Sequence, residues 1–194
     1  QRIGGGIGCT IDSVEENYGD DDITLRRITG TFTTPQYTVS EYTPTLINRD
    51  ENRMPIFVEN REVPFAMTIP TPENSTVDMP ITIWGHGFLG QSDGGPRGWA
   101  HTYQTVMLTT DITGFTSVDY DPISFALLDP NYFTHHSASL EQGMINHVVL
   151  AKTFSDACSN LTEFYDSGVK IVDTDEIHWG GYSLGGIVGI PVMA

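Results

Sequence analysis

Glu176-Ile177-His178-Trp179-Gly180-Gly181-Tyr182-Ser183-Leu184-Gly185-Gly186 is the stretch that decides how this chain folds. Residues 176–180 read as a strand. Leu184 opens an apolar run, with Ile187, Val188, Ile190, Val192 and Met193, that reads as a helix with those side chains on its buried face. Between the two, Gly181 and Gly185 flank Ser183 in the G-x-S-x-G spacing, the pattern that sets a serine on a sharp strand-to-helix turn. Such a turn crowds the neighbouring backbone, so the flanking positions need residues without a Cβ.

A second motif stands upstream. Ile81-Thr82-Ile83-Trp84 is a short apolar strand that runs directly into Gly85-His86-Gly87-Phe88-Leu89-Gly90. An alcohol is a poor nucleophile at neutral pH, so Ser183 would need exposure and a base to attack a carbonyl. Attack leaves a negative oxygen, which preorganised donors stabilise by roughly 3–4 kcal/mol each. The backbone N–H of Leu184, at a helix N-terminus whose dipole favours negative charge, is one candidate donor. In a His-Gly-X loop the X residue supplies the other, here the N–H of Phe88. Gly85, Gly87 and Gly90 let that loop fold tightly, and His86 reads as a structural hydrogen-bonding side chain. The two motifs together point to an ester-cleaving hydrolase.

The rest of the chain divides in two. Residues 1–22, with Gly4, Gly5, Gly6, Gly8 and Asp20-Asp21-Asp22, read as a linker or the tail of a preceding segment. The glycines lack the preceding strand and following helix of a nucleotide loop, and the aspartates read as a solvated turn, not a calcium site. Residues 24–70 carry a β pattern, with strands expected at 28–33, 56–58 and 63–70 and a polar turn at 48–53. After Pro80, strands and helices alternate. Strands are expected at 81–84, 115–120, 170–172 and 176–180. Helices are expected at 97–110 and from about Ser139 to Cys158, the latter capped by Ser139 with Leu140, Met144, Ile145, Val148, Val149 and Ala151 as its apolar stripe. Strands alternating with helices argue for a mostly parallel α/β sheet covered on both faces, preceded by antiparallel strands.

Composition narrows the partners. Lys and Arg total 9 against 25 Asp and Glu, a formal charge of -16. That balance argues against nucleic acid, since phosphate contacts need clustered Lys and Arg. No apolar run approaches the roughly 18 residues that a membrane-spanning helix needs. Cys9 and Cys158 fit either a disulfide or two buried thiols, and their spacing is not that of a metal site. Asn74-Ser75-Thr76 and Asn160-Leu161-Thr162 match a glycosylation sequon that also arises easily by chance.

Residues 25–194 resemble the α/β-hydrolase superfamily, and within it a group of exported bacterial lipase- and esterase-like proteins. The similar stretches are Gly30-Thr31-Phe32-Thr33-Thr34-Pro35, Asn48-Arg49-Asp50, Trp84-Gly85-His86-Gly87-Phe88-Leu89-Gly90, Glu141-Gln142-Gly143 and Tyr182-Ser183-Leu184-Gly185-Gly186. The resemblance implies a serine, an acid and a histidine in that chain order, a carboxylic or lipid ester as substrate, no cofactor and no metal. It also implies an exported or cell-envelope location. One departure is plain: no residue after Ser183 is Asp, Glu or His. Residues 23–194 therefore read as the N-terminal part of such a domain, truncated after the nucleophile elbow and nearly inactive by itself. A peptidase or acyltransferase on the same fold, and a non-catalytic binding module, are the alternatives.

The six histidines all precede the serine, so none is placed as its base in that order. His178 is expected to pack in the sheet, and the adjacent pair His135-His136 is expected on a loop. Asp119 and Asp121 are expected as solvated acids at the end of a strand, and Trp84, Trp99 and Trp179 as core.

Overall fold

The computed structural model describes residues 8–19, 22–40, 45–74 and 78–194. In chain order its strands are β1 (Cys9–Glu16), β2 (Thr24–Gln36), β3 (Glu59–Pro70), β4 (Met79–Gly85), β5 (Val106–Thr109), β6 (Tyr165–Asp166), β7 (Val169–Lys170) and β8 (Val172–Gly181). The helices are α1 (Arg97–Tyr103), α2 (Tyr120–Leu128), α3 (Phe133–Ser155) and α4 (Leu184–Met193). Six strands form one sheet in the order β1-β2-β3-β5-β4-β8, and β6 and β7 pair as a separate small hairpin. β1, β2, β3 and β5 pair antiparallel in turn, whereas β5, β4 and β8 run parallel. This is the expected α/β-hydrolase-like sheet, with antiparallel N-terminal strands leading into the parallel strands that carry both glycine motifs.

Side-chain alternation explains why both faces are covered. Ile81 and Ile83 of β4 join the main core with Ile28, Phe32, Phe65, Leu108, Leu150 and Phe154. Trp84 turns to the other face and packs with Ala100 of α1 and Met107 of β5. The α3 side is the larger core, closed by an edge-on contact between Phe65 and Phe154 at 5.0 Å. Deleting a ring such as Phe154 would cost about 3–5 kcal/mol in lost transfer energy and cavity.

Several sequence expectations are corrected. Cys9–Glu16, placed in a linker by the sequence, is an edge strand paired to β2. Cys9 is joined by a disulfide to Cys158, just beyond α3. Gly4 to Gly6, Asp20 and Asp21 lie outside the described residues. Residues 56–58 form no strand and are exposed, because that segment passes over the surface before β3.

The helix expected at 97–110 ends at Tyr103. Gln104 takes a left-handed conformation (φ 47°) and its N–H bonds back to Ala100 and His101, which closes the helix. Val106 to Thr109 then form the fully buried β5, the kind of short apolar run that periodicity cannot tell from a helix segment. Residues 115–120 are no strand either. Thr116 and Asp119 make a reciprocal capping box that winds Ser117–Asp119 into a 3-10 turn leading into α2.

α3 begins at Phe133, well over a turn before Ser139, and it contains His135 and His136. Its buried face is largely small and polar: Ala138, Ser139, Gln142, Gly143, Asn146 and His147. Gln142 explains why. Its side chain accepts from the Tyr37 N–H at 2.9 Å and donates to the Pro35 carbonyl at 3.0 Å, tying the helix to the end of β2. A stripe counted on apolar residues alone misses such a face.

Candidate active site

The turn between β8 and α4 is built by close backbone approach. Trp84 and Gly85 of β4 lie opposite Gly180 and Gly181 of β8, so the two glycine motifs end side by side. A Cβ placed on Gly185 would lie 2.0 Å from the Gly85 carbonyl oxygen, and one on Gly181 would lie 2.8 Å from the Gly185 carbonyl carbon. Only glycine permits the first turn of α4 to rest on the end of β4. Ser183 occupies the resulting apex, exposed, with φ 54° and ψ -122°. That conformation costs a non-glycine residue about 1–3 kcal/mol and persists only where its surroundings over-determine it.

The loop after β4 is equally constrained. His86 is buried, donating from Nδ1 to the Gly87 carbonyl at 2.7 Å and accepting at Nε2 from the Ile112 N–H at 2.9 Å. Those two bonds fix its tautomer and tie the loop to the segment after β5. Leu89 N–H bonds to the Phe115 carbonyl and Gly90 N–H to the Gly87 carbonyl, each at 2.9 Å. Gly87 lies directly under the Tyr182 ring, where a Cβ would come within 2.8 Å of Cε2. The loop is thereby packed against the residue preceding Ser183. Among the described residues, no hydrogen bond occupies the N–H of Phe88 or of Leu184. The structure thus brings together Ser183, Leu184, Gly85, His86, Gly87, Phe88, Gly181 and Gly185.

The other histidines lie elsewhere. His135 donates from Nδ1 to the Thr45 carbonyl at 2.8 Å, and buried His136 lies tilted against Phe115. His178 is exposed and faces Glu176 at 3.0 Å, not packed inside the sheet as expected, because that position of the edge strand β8 faces solvent. His147 is fully buried, donates from Nδ1 to the Gly143 carbonyl at 2.7 Å, and packs edge-on against Trp179 at 5.2 Å. Burial pushes its pKa down to about 4, against the raising effect of the Gly143 carbonyl, with nearby His86 lowering it further. It is neutral at pH 7. No histidine hydrogen-bonds Ser183 among the described residues, and none there forms a three-ligand metal cluster with Cys, Asp or Glu.

Asp119 caps its own turn through Thr116. Trp99 is 55% exposed, contrary to its expected place in the core, because it stands at the outer side of the short α1. Together with Trp84, Pro96, Trp179, Gly180, Gly181 and Tyr182 it lines a cleft of about 590 Å³ beside the elbow. This cleft is not visible in the sequence, since its lining comes from three separate segments. The apolar face expected for α4 is likewise corrected. Val188 is buried, but Ile187, Ile190 and Met193 are each about two-thirds exposed or more. The glycine side of that helix, not its large side chains, meets the sheet.

No family model and no curated protein sequence matches the chain. Solved structures do. An acetyl xylan esterase from a Paenibacillus species aligns at 14% identity and TM-score 0.46, over 95% of this chain and 48% of that one. A putative acetyl xylan esterase from Bacteroides fragilis aligns at 13% identity and TM-score 0.47, over 99% and 46%. A rice cell wall degrading esterase from Xanthomonas oryzae aligns at 12% identity and TM-score 0.40, over 99% and 45%. The chain spans less than half the length of each of these structures.

Proposed function

We propose that this chain carries the nucleophile and oxyanion-binding half of a serine hydrolase acting on carboxylic esters, lipid esters included. The observation that carries the reading is Ser183 itself: an exposed serine held at φ 54° between a parallel strand and a helix N-terminus. In this reading its Oγ attacks the ester carbonyl, and the N–H groups of Leu184 and Phe88 receive the developing oxyanion. Collapse expels the alcohol and leaves an acyl-enzyme on Ser183, which water then hydrolyses. His86 holds the loop that presents Phe88 and transfers no proton, since both its ring nitrogens are engaged with backbone groups.

No acid or histidine follows Ser183 in these residues. The general base and its orienting carboxylate are therefore assigned to chain outside them. Losing such partners costs on the order of 10⁴–10⁶ in turnover, so the 194 residues alone are expected to be nearly inactive. No cofactor or metal enters the chemistry, and the acidic charge gives no footing for nucleic acid. An exported or cell-envelope location fits the Cys9–Cys158 disulfide, which needs an oxidising compartment to persist.

Assaying the full-length protein on short- and long-acyl esters and on peptides tests the reading. Ester turnover that vanishes in Ser183→Ala supports it. Peptide cleavage without ester turnover would move the reaction to a peptidase.

A further inference from the structure

A single side chain of β8 grips the far arm of the elbow. Trp179 lies four positions before Ser183, yet its indole Nε1–H reaches past the turn to donate to the Gly185 carbonyl at 3.0 Å. The Ser183 side chain makes no capping hydrogen bond to α4, so it does not itself fix the helix to the turn. The indole is boxed in place on three sides. A Cβ on Gly189 would lie 2.1 Å from Nε1, and one on Gly85 would lie 2.8 Å from Cζ2. The buried His147 ring meets the indole edge-on from α3. Gly185 and Gly189, one helical turn apart, form the face of α4 on which these contacts fall.

From this geometry we infer that Trp179 is a positioning residue for Ser183, setting the angle between β8 and α4 through its hydrogen bond to Gly185. The inference rests on the reading of Ser183 as nucleophile. A strained apex needs both its arms held. The strand arm is held by β4, and the helix arm is held by the indole bond together with the contact of Gly185 on Gly85. Loosening the second arm lets Ser183 relax toward ordinary backbone angles and turns the Leu184 N–H away from the oxyanion position. Bulk is not the relevant property of Trp179. The N–H is, and Gly189 exists to leave it room.

The test uses the full-length protein and a fluorophosphonate probe, with Trp179→Phe, Gly189→Ala and the double variant. Trp179→Phe keeps an aromatic ring and removes the donor. The maximal rate of Ser183 labelling is expected to fall about five- to tenfold, the size of one lost neutral hydrogen bond, with the probe concentration for half-maximal rate unchanged. Amide hydrogen exchange at 184–187 is expected to quicken by a similar factor. Gly189→Ala, which displaces the indole, should reproduce both effects, and the double variant should be no slower than the worse single one. Unchanged labelling and exchange in Trp179→Phe, or multiplicative effects in the double variant, would overturn the inference. If the parent protein takes no label at all, the nucleophile reading fails. The exchange measurement then still decides whether Trp179 holds the turn.

Discussion

Gly185 rests on Gly85 backbone to backbone: the nearest atom to a Cβ at 185 would be the Gly85 carbonyl oxygen, at 2.0 Å. Two motifs far apart in the chain thereby share one contact, and the loop after β4 is joined to the turn at Ser183 without any polar side chain. The neighbouring Gly186 has no such neighbour, with only the Gly181 carbonyl at 3.5 Å.

The pair of glycines gives an internal control. Gly185→Ala has no flexible side chain to push aside, so it must move β4 or α4, at a cost of at least about 1–3 kcal/mol. It is expected to lower the melting midpoint and abolish labelling of Ser183. Gly186→Ala is expected to be tolerated, and to gain up to about 1 kcal/mol from helix propensity. Thermal melts of the two variants check this; equal behaviour would contradict the contact.

The disulfide between Cys9 and Cys158 spans 149 residues and pins the edge strand β1 to the end of α3. Cross-links over long loops contribute about 2–5 kcal/mol, chiefly by restricting the unfolded chain. Replacing both cysteines by serine is expected to lower stability by that amount. Amide protection should fall first in β1, whose residues are mostly exposed. Denaturant titration with hydrogen exchange measures both.

His147 predicts the direction of one pH effect. Its folded pKa of about 4 lies below the model-peptide value of 6.5. Between those values the unfolded chain binds the proton and the folded one does not. The contribution is therefore fully present above about pH 6.5 and is lost as pH falls toward 4, by up to about 3 kcal/mol. Comparing unfolding free energies of the parent and His147→Phe across this window isolates it. The difference between the two should shift toward the variant as pH falls, and a constant difference would contradict the burial of a neutral imidazole.

The two glycine turns are more legible in the sequence than the scaffold, for a physical reason. Gly181 and Gly185 answer to close backbone approach within the turn and against Gly85 of β4, and a position that must lack a Cβ leaves its mark in the sequence wherever its partner lies. Gly85 and Gly87 likewise answer to contacts within two short segments. Misread positions answer to strand pairing and buried hydrogen bonds that demand no particular residue type. Val106 and Met107 sit at helical spacing from Trp99 and Tyr103, yet β3 and β4 recruit them into a strand. The buried face of α3 escapes an apolar count because Gln142 and Asn146 are buried by hydrogen bonds to β2, and such a count treats them as surface. The sequence places Trp179 in the core, and only the fold shows where its N–H points.

Covalent labelling of the full-length protein by a fluorophosphonate, followed by peptide mapping, tests the central claim most directly. A single adduct on Ser183, absent from Ser183→Ala of equal thermal stability, is the predicted result. A folded protein that takes no label, or takes it on another residue, would contradict the account.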